Sequence, residues 1–425
     1  MLFRLLVFLT GLSVALAEWD ITSVAHHSMK RSGQSHRLSL TRSSRGGMTR
    51  TALRLGQGKK TYTTSIQSIL EDQIFLVNVS IGQETRALIL DTAISDTWFI
   101  EPNYTCLNQT NGAVLNQSAC NFGPGLSPSD DFQQIADVNL NASYAASPEI
   151  SVNGILGYET LSLAGLDISK QEIGYGTELF WAGIGDGTSS GLLGMAFRNL
   201  THQYPGTIPS ADVRSDVERY PPIVETIFFR ENLTARYFSV ELSRAGRNAS
   251  SGFGGYLEFG AAPDLSKSGW ASVPIRTSSP DEFLLYNISI DGIVDGGSFH
   301  PTNATNTFII DTASSLLYLP GADAARINAL FDPPAQVIDG MYFVDCNATA
   351  PQNVGLQING ITFPINPEDL INLQPFDGGI CATGVQDGDD AFGDNLYIIG
   401  YPFLVNVLTV FDLENFQIHF HAQED

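Results

Sequence analysis

Two aspartates in duplicated contexts are the residues of this chain best suited to chemistry. Asp91 ends the apolar run at 88–90, and Asp311 ends a similar run at 308–310. Each is followed by Thr-Ala-x-Ser. A carboxylate at the end of a buried strand is costly unless another group satisfies or uses it. Because two carboxylates that share a proton can activate water without a metal, the duplication predicts two half-sites that face each other.

The duplication continues beyond the aspartates. Each half later supplies two apolar residues and a glycine, Leu-Leu-Gly at 192–194 and Ile-Ile-Gly at 398–400. This order predicts two related lobes, an N-terminal lobe at 61–245 and a C-terminal lobe at 246–425.

The elements that must position these residues are mostly strands. Short β-type runs separated by Gly, Asn, Asp and Ser occupy the chain after residue 61. Asn359-Gly360, between two such runs, predicts a tight hairpin. Only 222–230 and 322–330 are good short helix candidates. Strands and helices do not alternate, which disfavours a doubly wound sheet, and the predicted class is mostly β.

The N-terminal residues 1–17 have the pattern of a secretory signal peptide. Arg4 precedes an apolar run, and Ala-Leu-Ala at 15–17 has the small-residue spacing that signal peptidase requires. The run is shorter than the ~20 residues of a membrane-spanning helix. We therefore expect a secreted, extracellular protein without a membrane anchor.

A short N-terminal segment of the chain is basic, whereas the rest of the chain is acidic. Residues 18–60 carry a net charge of +7 and end in Lys59-Lys60, whereas 61–425 carry −31. We interpret 18–60 as a basic propeptide that docks on its own acidic body; the alternative is a disordered linker. Export and the acidic body argue against nucleic acid as a partner. An acidic working environment follows, because carboxylate protonation would relieve self-repulsion.

Cysteines and glycosylation sequons also favour export. The four cysteines fit two disulfides, with Cys106–Cys120 and Cys346–Cys381 as the natural pairing within each half. Nine Asn-x-Ser/Thr sequons are candidate glycosylation sites: Asn103, Asn108, Asn116, Asn141, Asn199, Asn232, Asn248, Asn303 and Asn347. Two further sequons, Asn78 and Asn287, lie in apolar alternating runs, and we expect them to be unused.

Taken together, these motifs resemble those of the pepsin-like aspartic proteases over roughly residues 72–420. That family has Asp-Thr-Gly-Ser/Thr-Ser in each lobe, followed by the apolar-apolar-Gly motif, and its last strands and second cysteine pair are placed similarly. The resemblance implies a bilobal β-protein with a cleft between the lobes. It also implies a polypeptide substrate, the chain's own propeptide as a partner, a monomer, and neither a cofactor nor a metal.

The resemblance also implies roles for individual residues. Asp91 and Asp311 would hold a water molecule, one carboxyl acting as base and the other as acid. Thr92 and Thr312 would join the two loops through hydroxyl hydrogen bonds, and Ser314 would donate to Asp311.

A hairpin flap is implied as well. Tyr144 corresponds to the flap tyrosine, and Trp98 to the tryptophan whose indole N–H meets it. Phe180, within an aromatic segment at 179–181, would contribute apolar wall to the cleft.

Four departures from the family pattern leave two functions open. Alanine replaces both motif glycines (Ala93 and Ala313), Ile94 replaces a hydroxyl donor to Asp91, Ala-Ala-Ser-Pro at 145–148 replaces the glycine-rich flap tip, and Tyr401 replaces an aspartate. The favoured prediction is a working acid endopeptidase. The alternative is a protein on the same fold that binds a polypeptide or glycan with feeble hydrolysis or none.

A third function comes from another class of enzyme. Gly-Thr-Ser-Ser-Gly at 187–191 matches the Gly-x-Ser-x-Gly pattern of serine hydrolases. That motif needs a strand before it and a helix after it, whereas here Leu-Leu-Gly follows, so the segment is interpreted as a turn.

Overall fold

The computed structural model describes residues 61–108, 111–144, 151–180, 186–230, 233, 235–245, 249–277, 282–372, 379–389 and 395–423. The predicted signal peptide and propeptide, the sequons at Asn232 and Asn248, and the altered flap tip at 145–148 lie outside the described residues.

The described chain is built mainly of strands, which confirms the predicted class. The strands before residue 245 are β1 (Tyr62–Ile69), β2 (Ile74–Ile81), β3 (Glu84–Asp91), β4 (Thr97–Leu107), β5 (Val114–Leu115), β6 (Gln133–Gln134), β7 (Val138–Ser143), β8 (Ser151–Leu163), β9 (Leu166–Phe180), β10 (Gly191–Gly194), β11 (Gln203–Pro205) and β12 (Tyr237–Leu242).

The second half has shorter strands on average. They are β13 (Ser251–Phe259), β14 (Trp270–Pro274), β15 (Asn287–Ile288), β16 (Gly292–Asp295), β17 (Ser298–Pro301), β18 (Thr307–Ile310), β19 (Leu317–Leu319), β20 (Gln336–Ile338), β21 (Met341–Asp345), β22 (Val354–Ile358), β23 (Ile361–Ile365), β24 (Ile380–Ala382), β25 (Val385–Asp387), β26 (Leu396–Ile399), β27 (Val407–Asp412) and β28 (Gln417–Ala422).

The helices whose whole length is described are short. The α-helices among them are α1 (Ile223–Arg230), α2 (Gly321–Asn328) and α3 (Tyr401–Leu404), and the 3₁₀ turns are Gln117–Ala119, Arg198–Leu200, Pro209–Ala211, Arg214–Asp216 and Pro367–Leu370. The first two α-helices confirm the predicted helical segments. The hairpin predicted at Asn359-Gly360 joins β22 to β23, and both turn residues have positive φ (47° and 77°), as a type I′ turn requires.

One large sheet runs through both halves of the molecule. Its order is β11-β7-β8-β9-β4-β10-β3-β2-β1-β13-β12-β27-β28-β14, with β5 beside β4 and β6 beside β8. Strand β1 pairs with β2 on one side and with β13 on the other, and so joins the lobes. Three smaller sheets, β15-β18-β26-β19-β25, β17-β16-β22-β23 and β20-β21-β24, complete the second lobe.

The two aspartate loops are held by equivalent strand pairings. Strand β10 runs parallel to β3, with Gly194 opposite Asp91, and antiparallel to β4. In the second lobe β26 runs parallel to β18, with Ile399 opposite Ile310, and antiparallel to β19. The duplicated apolar-apolar-Gly segments therefore occupy the same place in each lobe, which confirms the predicted internal repeat.

The glycines that end these segments allow close backbone contact. A Cβ on Gly194 would lie 2.5 Å from the carbonyl oxygen of Asp96, and one on Gly400 would lie 2.2 Å from that of Leu316. Because atoms cannot approach so closely, glycine is required for each strand to pass behind the aspartate loop.

Both predicted disulfides are confirmed. Cys106–Cys120 joins β4 to the end of the first 3₁₀ turn, and Cys346–Cys381 joins the residue after β21 to β24. Each pairing lies within one lobe.

Candidate active site

The two aspartates lie at the ends of equivalent strands and are almost fully buried. Asp91 is the last residue of β3 and is 1% exposed, and Asp311 follows β18 and is 0% exposed. The backbone N–H of Asp311 donates to the Ile399 carbonyl oxygen at 3.0 Å, and that of Met195 donates to the Asp91 carbonyl oxygen at 2.8 Å. Each loop is thus attached to the strand behind it.

A reciprocal set of threonine hydrogen bonds joins the loops across the lobes. The Thr92 hydroxyl donates to the Ile310 carbonyl oxygen, and the Thr312 hydroxyl to the Leu90 carbonyl oxygen, both at 2.8 Å. Each hydroxyl also accepts from the backbone N–H of the other threonine, at 3.2 and 3.1 Å. The threonines therefore occupy the bridging positions expected of them, with near two-fold symmetry.

Burial and the negative charge of Asp311 disfavour the ionised form of Asp91. Its Oδ1 accepts the backbone N–H of Ala93 at 2.7 Å. Its Oδ2 is buried and has no hydrogen-bond partner among the described residues. Burial, followed by the charge of Asp311, raises the pKa of Asp91 well above its usual value, and the backbone N–H groups of Ala93 and Ile94 oppose that shift. A carboxyl group of this kind keeps its proton to a higher pH than an exposed aspartate does.

Asp311 is held mainly by backbone donors. Its Oδ1 accepts the N–H of Ala313 at 2.8 Å and that of Ser314 at 3.2 Å. The Ser314 hydroxyl instead donates to the Leu316 carbonyl oxygen at 3.0 Å. Ser314 thus contacts Asp311 through its backbone N–H, whereas the sequence predicted a contact from its hydroxyl.

The two alanines that replace motif glycines fit without displacing the loops. Ala93 is 2% exposed within an apolar cluster made mostly of second-lobe residues, such as Leu316. Ala313 is 6% exposed within a first-lobe cluster that includes Trp98. Neither alanine has a positive φ, so the backbone does not require glycine there. Each methyl group fills apolar space at the boundary between the lobes.

Tyr144 and Trp98, which the sequence assigns to the flap, pack against each other. Their rings stack with centroids 6.4 Å apart at an interplanar angle of 13°. Tyr144 follows β7, just before the hairpin tip, and is 6% exposed. Burial and then Asp96 raise the pKa of Tyr144 well above its usual value, while a side-chain interaction with Trp98 opposes this. The phenol therefore stays neutral and can donate a hydrogen bond.

A buried carboxylate behind Tyr144 was not predicted from the sequence. Asp96 is fully buried and accepts the backbone N–H of His202 at 2.9 Å and the Tyr220 hydroxyl at 2.5 Å. Nδ1 of His202 lies 2.7 Å from the other Asp96 oxygen. The His202 ring meets Tyr144 edge-on, with centroids 6.4 Å apart. These residues connect the Asp91 loop to the flap tyrosine, and no local sequence motif marks them.

The remaining sequence candidates are not part of this arrangement. Phe180 is half-buried at the end of β9 and pairs with Ser151, the first residue of β8 after the flap turn, so it lies beside the turn end of the flap hairpin. In the Gly-x-Ser-x-Gly segment, the Ser189 hydroxyl donates to Asp186 at 2.5 Å, and strand β10 follows at once. That segment is a turn, as predicted, and lacks the helix that a serine nucleophile would need.

Two other kinds of feature are absent from the part of the chain that the structure describes. These residues contain no group of His, Cys, Asp and Glu side chains that could hold a metal ion. Within the same ranges, no helix is long and apolar enough to span a bilayer.

The sequence is similar to known proteins over most of its length. The family model for eukaryotic aspartyl proteases matches residues 74–423. The chain belongs to this family. A probable aspartic-type endopeptidase of Aspergillus fumigatus is 32% identical over 397 residues, covering 91% of this chain and 87% of that protein. The chymosin of Callithrix jacchus is 27% identical, covering 76% and 74% of the two chains.

Structural similarity supports the same fold for this aspartyl protease family member. The aspartic proteinase of Irpex lacteus matches with a TM-score of 0.64 and 20% identity, covering 86% of this chain and 98% of the other. The two-lobe β architecture is therefore that of the pepsin-like aspartic proteinases.

Proposed function

We propose that this protein is a secreted acid endopeptidase that hydrolyses peptide bonds with water activated by Asp91 and Asp311. The observation that carries the proposal is the pair of buried carboxyls on loops joined by reciprocal threonine hydrogen bonds. The raised pKa of Asp91 supports the division of roles, because one carboxyl must stay protonated while the other is ionised.

The reaction requires only these two groups and water. The ionised carboxyl takes a proton from the water as its oxygen attacks the scissile carbonyl carbon, and the protonated carboxyl donates to the carbonyl oxygen. The tetrahedral intermediate then collapses as the amide nitrogen gains a proton and the C–N bond breaks. Because the dyad titrates as a pair, its apparent pKa values belong to both aspartates.

Tyr144 would close over the bound peptide. Its ring rests on Trp98, and its neighbour His202 is anchored on Asp96. A buried, neutral phenol next to the flap turn can hydrogen-bond the substrate backbone and exclude water from the cleft.

The experiment that tests the proposal compares unmodified protein with Asp91→Asn and Asp311→Asn on an unfolded protein substrate from pH 2.5 to 6.5. We expect each substitution to reduce cleavage by roughly 10²–10⁴-fold, and a statine-type inhibitor to abolish the remaining activity of the unmodified protein. Asp264→Asn is the matched control, since the Asp264 side chain is exposed. No cleavage by any form, with inhibitor binding retained, would indicate a binding protein.

Secretion, processing and glycosylation are part of the same proposal. The signal pattern at 1–17 and the basic segment at 18–60 predict that the mature chain begins after Lys60. Among the sequons, the side-chain amides of Asn141 and Asn199 donate to Pro209 and Phe283 carbonyl oxygens at 3.0 and 3.1 Å, which disfavours their modification.

Mass spectrometry of the secreted protein checks both expectations. We expect an N-terminus near Thr61, glycans on exposed sequons such as Asn103 and Asn303, and none on Asn141 or Asn199. Asn78 is exposed on β2, so the expectation that it is unused has no support from burial. A mature protein that retains residues 18–60, or that carries glycan on Asn141, would contradict this account.

A further inference from the structure

A cavity of about 80 Å³ lies between the lobes beside the Asp311 loop. Segment 71–73 lines it from the first lobe. From the second lobe it is lined by Ser315, Tyr401, Glu368, Asp369, Ile371 and Asn372. Since a single water needs only ~10–15 Å³ of such space, the cavity has room for a side chain. The Tyr401 N–H donates to the Ser314 carbonyl oxygen at 2.8 Å, so the cavity wall belongs to the loop that carries Asp311.

The wall that the first lobe contributes to the cavity is a turn with an unusual backbone conformation. Leu70, Glu71 and Asp72 have φ values of 50°, 57° and 67°, a left-handed conformation that residues other than glycine rarely adopt in succession. The Asp72 carboxylate accepts the Ser68 hydroxyl and the Ala245 N–H, the latter at 2.9 and 3.0 Å. The turn thus holds two acidic residues at the cavity.

The cavity is strongly acidic. Among the described residues, four carboxyl groups line it, those of Glu71, Asp72, Glu368 and Asp369, and one guanidinium, that of Arg244. Arg244 is engaged by Asp369, with Nε and Nη2 at 2.8 and 2.6 Å from its two oxygens. This ion pair accounts for one of the four carboxyl groups, so the described lining still holds more carboxyl groups than guanidinium groups.

Besides its charged groups, the cavity contains a buried hydrogen-bond donor that a ligand could use. Gln73 is 7% exposed and lines the cavity, and its Nε2 has no hydrogen-bond partner among the described residues. A buried amide donor without a partner is costly. It fits a carbonyl oxygen of a bound peptide, whereas a bare metal cation would be repelled by this donor and by Arg244.

Tyr401 supplies an apolar wall. Its ring stacks on Phe75 with centroids 5.7 Å apart at 26°, and its hydroxyl lies 3.4 Å from Asp369. Lysine and arginine side chains pack their methylene stems on such surfaces and place their charge over aromatic rings. The tyrosine that departs from the family pattern is therefore suited to a long basic side chain.

We propose that this cavity binds a lysine or arginine side chain of the polypeptide substrate, with Glu71 and Glu368 facing its charge and Gln73 donating to the adjacent peptide carbonyl. The proposal rests on the endopeptidase function and names a substrate preference for it. The protein then favours sequences that carry a basic residue at one fixed position relative to the cleaved bond.

The test uses peptides that share one cleaved sequence and carry Lys, Gln or Glu at each position in turn on both sides of the cleaved bond. For the unmodified protein we expect kcat/KM to favour Lys over Gln by about tenfold at one position, which corresponds to about 1.4 kcal/mol. In the Glu71→Gln, Glu368→Gln double variant this ratio falls to within about twofold of unity. Glu414→Gln is the matched control, because Glu414 lies in the exposed turn between β27 and β28, and it keeps the ratio.

A binding measurement separates the two proposals. Statine analogues of the Lys and Gln peptides are titrated calorimetrically into Asp91→Asn protein with and without the double substitution, and thermal unfolding confirms that each variant is folded. A Lys preference that the double substitution removes supports the cavity even if no form cleaves peptides. Cleavage without any preference for Lys, or a preference that survives the double substitution, overturns the inference and leaves the endopeptidase proposal standing.

Discussion

At the scale of single residues, the surroundings of Asp91 decide how the site titrates. Its Oδ2 has no hydrogen-bond partner among the described residues, and the residue that would supply a hydroxyl in the family pattern is Ile94, which is 5% exposed. The dyad is therefore less stabilised in its ionised form than it would be with a hydroxyl at residue 94. The loops themselves are unaffected, because the threonine bridge is complete.

Restoring that hydroxyl should shift the pH dependence of catalysis. Ile94→Thr adds a donor within reach of Asp91 and favours the ionised form, so we expect the acid limb of the kcat/KM profile to move to lower pH. Ile94→Val is the matched control, since valine has the shape of threonine without the hydroxyl. Measurement of peptide cleavage between pH 2.5 and 6.5 decides this. Identical profiles for Thr and Val would show that residue 94 does not tune the dyad.

The sequence predicted much of this residue-level arrangement, with clear limits. Asp91, Asp311 and the two threonines could be identified because each half repeats the same short motif. The Asp96 network could not, because His202 and Tyr220 lie 106 and 124 residues from their carboxylate partner and have no repeated context. Only the folded chain brings such distant polar groups together.

At the scale of elements, each aspartate loop depends on a strand that passes directly behind it. Strands β10 and β26 lead into glycines whose missing side chains allow backbone contact. The repeat of apolar-apolar-Gly predicted these strands, since both the residue types and their order are local. The strained turn at 70–72 was not predicted, because no glycine marks its left-handed backbone.

Adding a methyl group behind the second loop should impair catalysis. In Gly400→Ala the new Cβ would lie 2.2 Å from the Leu316 carbonyl oxygen and 2.5 Å from that of Ser314, so the Asp311 loop must move. We expect at least a tenfold loss in kcat/KM together with about 1–3 kcal/mol of destabilisation.

Gly82→Ala separates loop displacement from general destabilisation. Gly82 has φ of 58°, and no atom lies within 4 Å of the position that a methyl group would take there. Alanine at this residue therefore costs about 1–2 kcal/mol of backbone strain without touching the site. Urea unfolding and peptide cleavage of the two variants are compared. Equal kcat/KM in both would contradict the role assigned to Gly400.

At the scale of the whole molecule, one sheet joins two lobes that each present a buried carboxyl at their boundary. The lobe organisation followed from the internal repeat, whereas the cavity beside Tyr401 could not be predicted, because its lining comes from separate segments of the chain. Residues 61–425 also carry a net charge of −31, which makes the protein sensitive to pH as a whole.

The contribution of Asp91 to stability should therefore be greatest in acid. Because the folded-state pKa of Asp91 is raised, the native state binds more protons than the unfolded state between about pH 4 and that folded-state pKa. The contribution of Asp91 to the free energy of unfolding is then fully present at low pH and is lost as pH rises through the folded-state pKa. Urea unfolding of unmodified and Asp91→Asn protein at pH 4, 5.5 and 7 tests this. We expect the free energy of unfolding to fall more steeply with pH in the unmodified protein; a parallel dependence in both would contradict it.

The central claim is that the carboxyls of Asp91 and Asp311 act together on one atom, and a crystal structure with a statine-type peptide inhibitor tests it most directly. The account predicts that the statine hydroxyl oxygen lies within about 3.2 Å of carboxyl oxygens from both aspartates. An inhibitor hydroxyl in contact with one aspartate alone, or an inhibitor bound outside the boundary between the lobes, would contradict it.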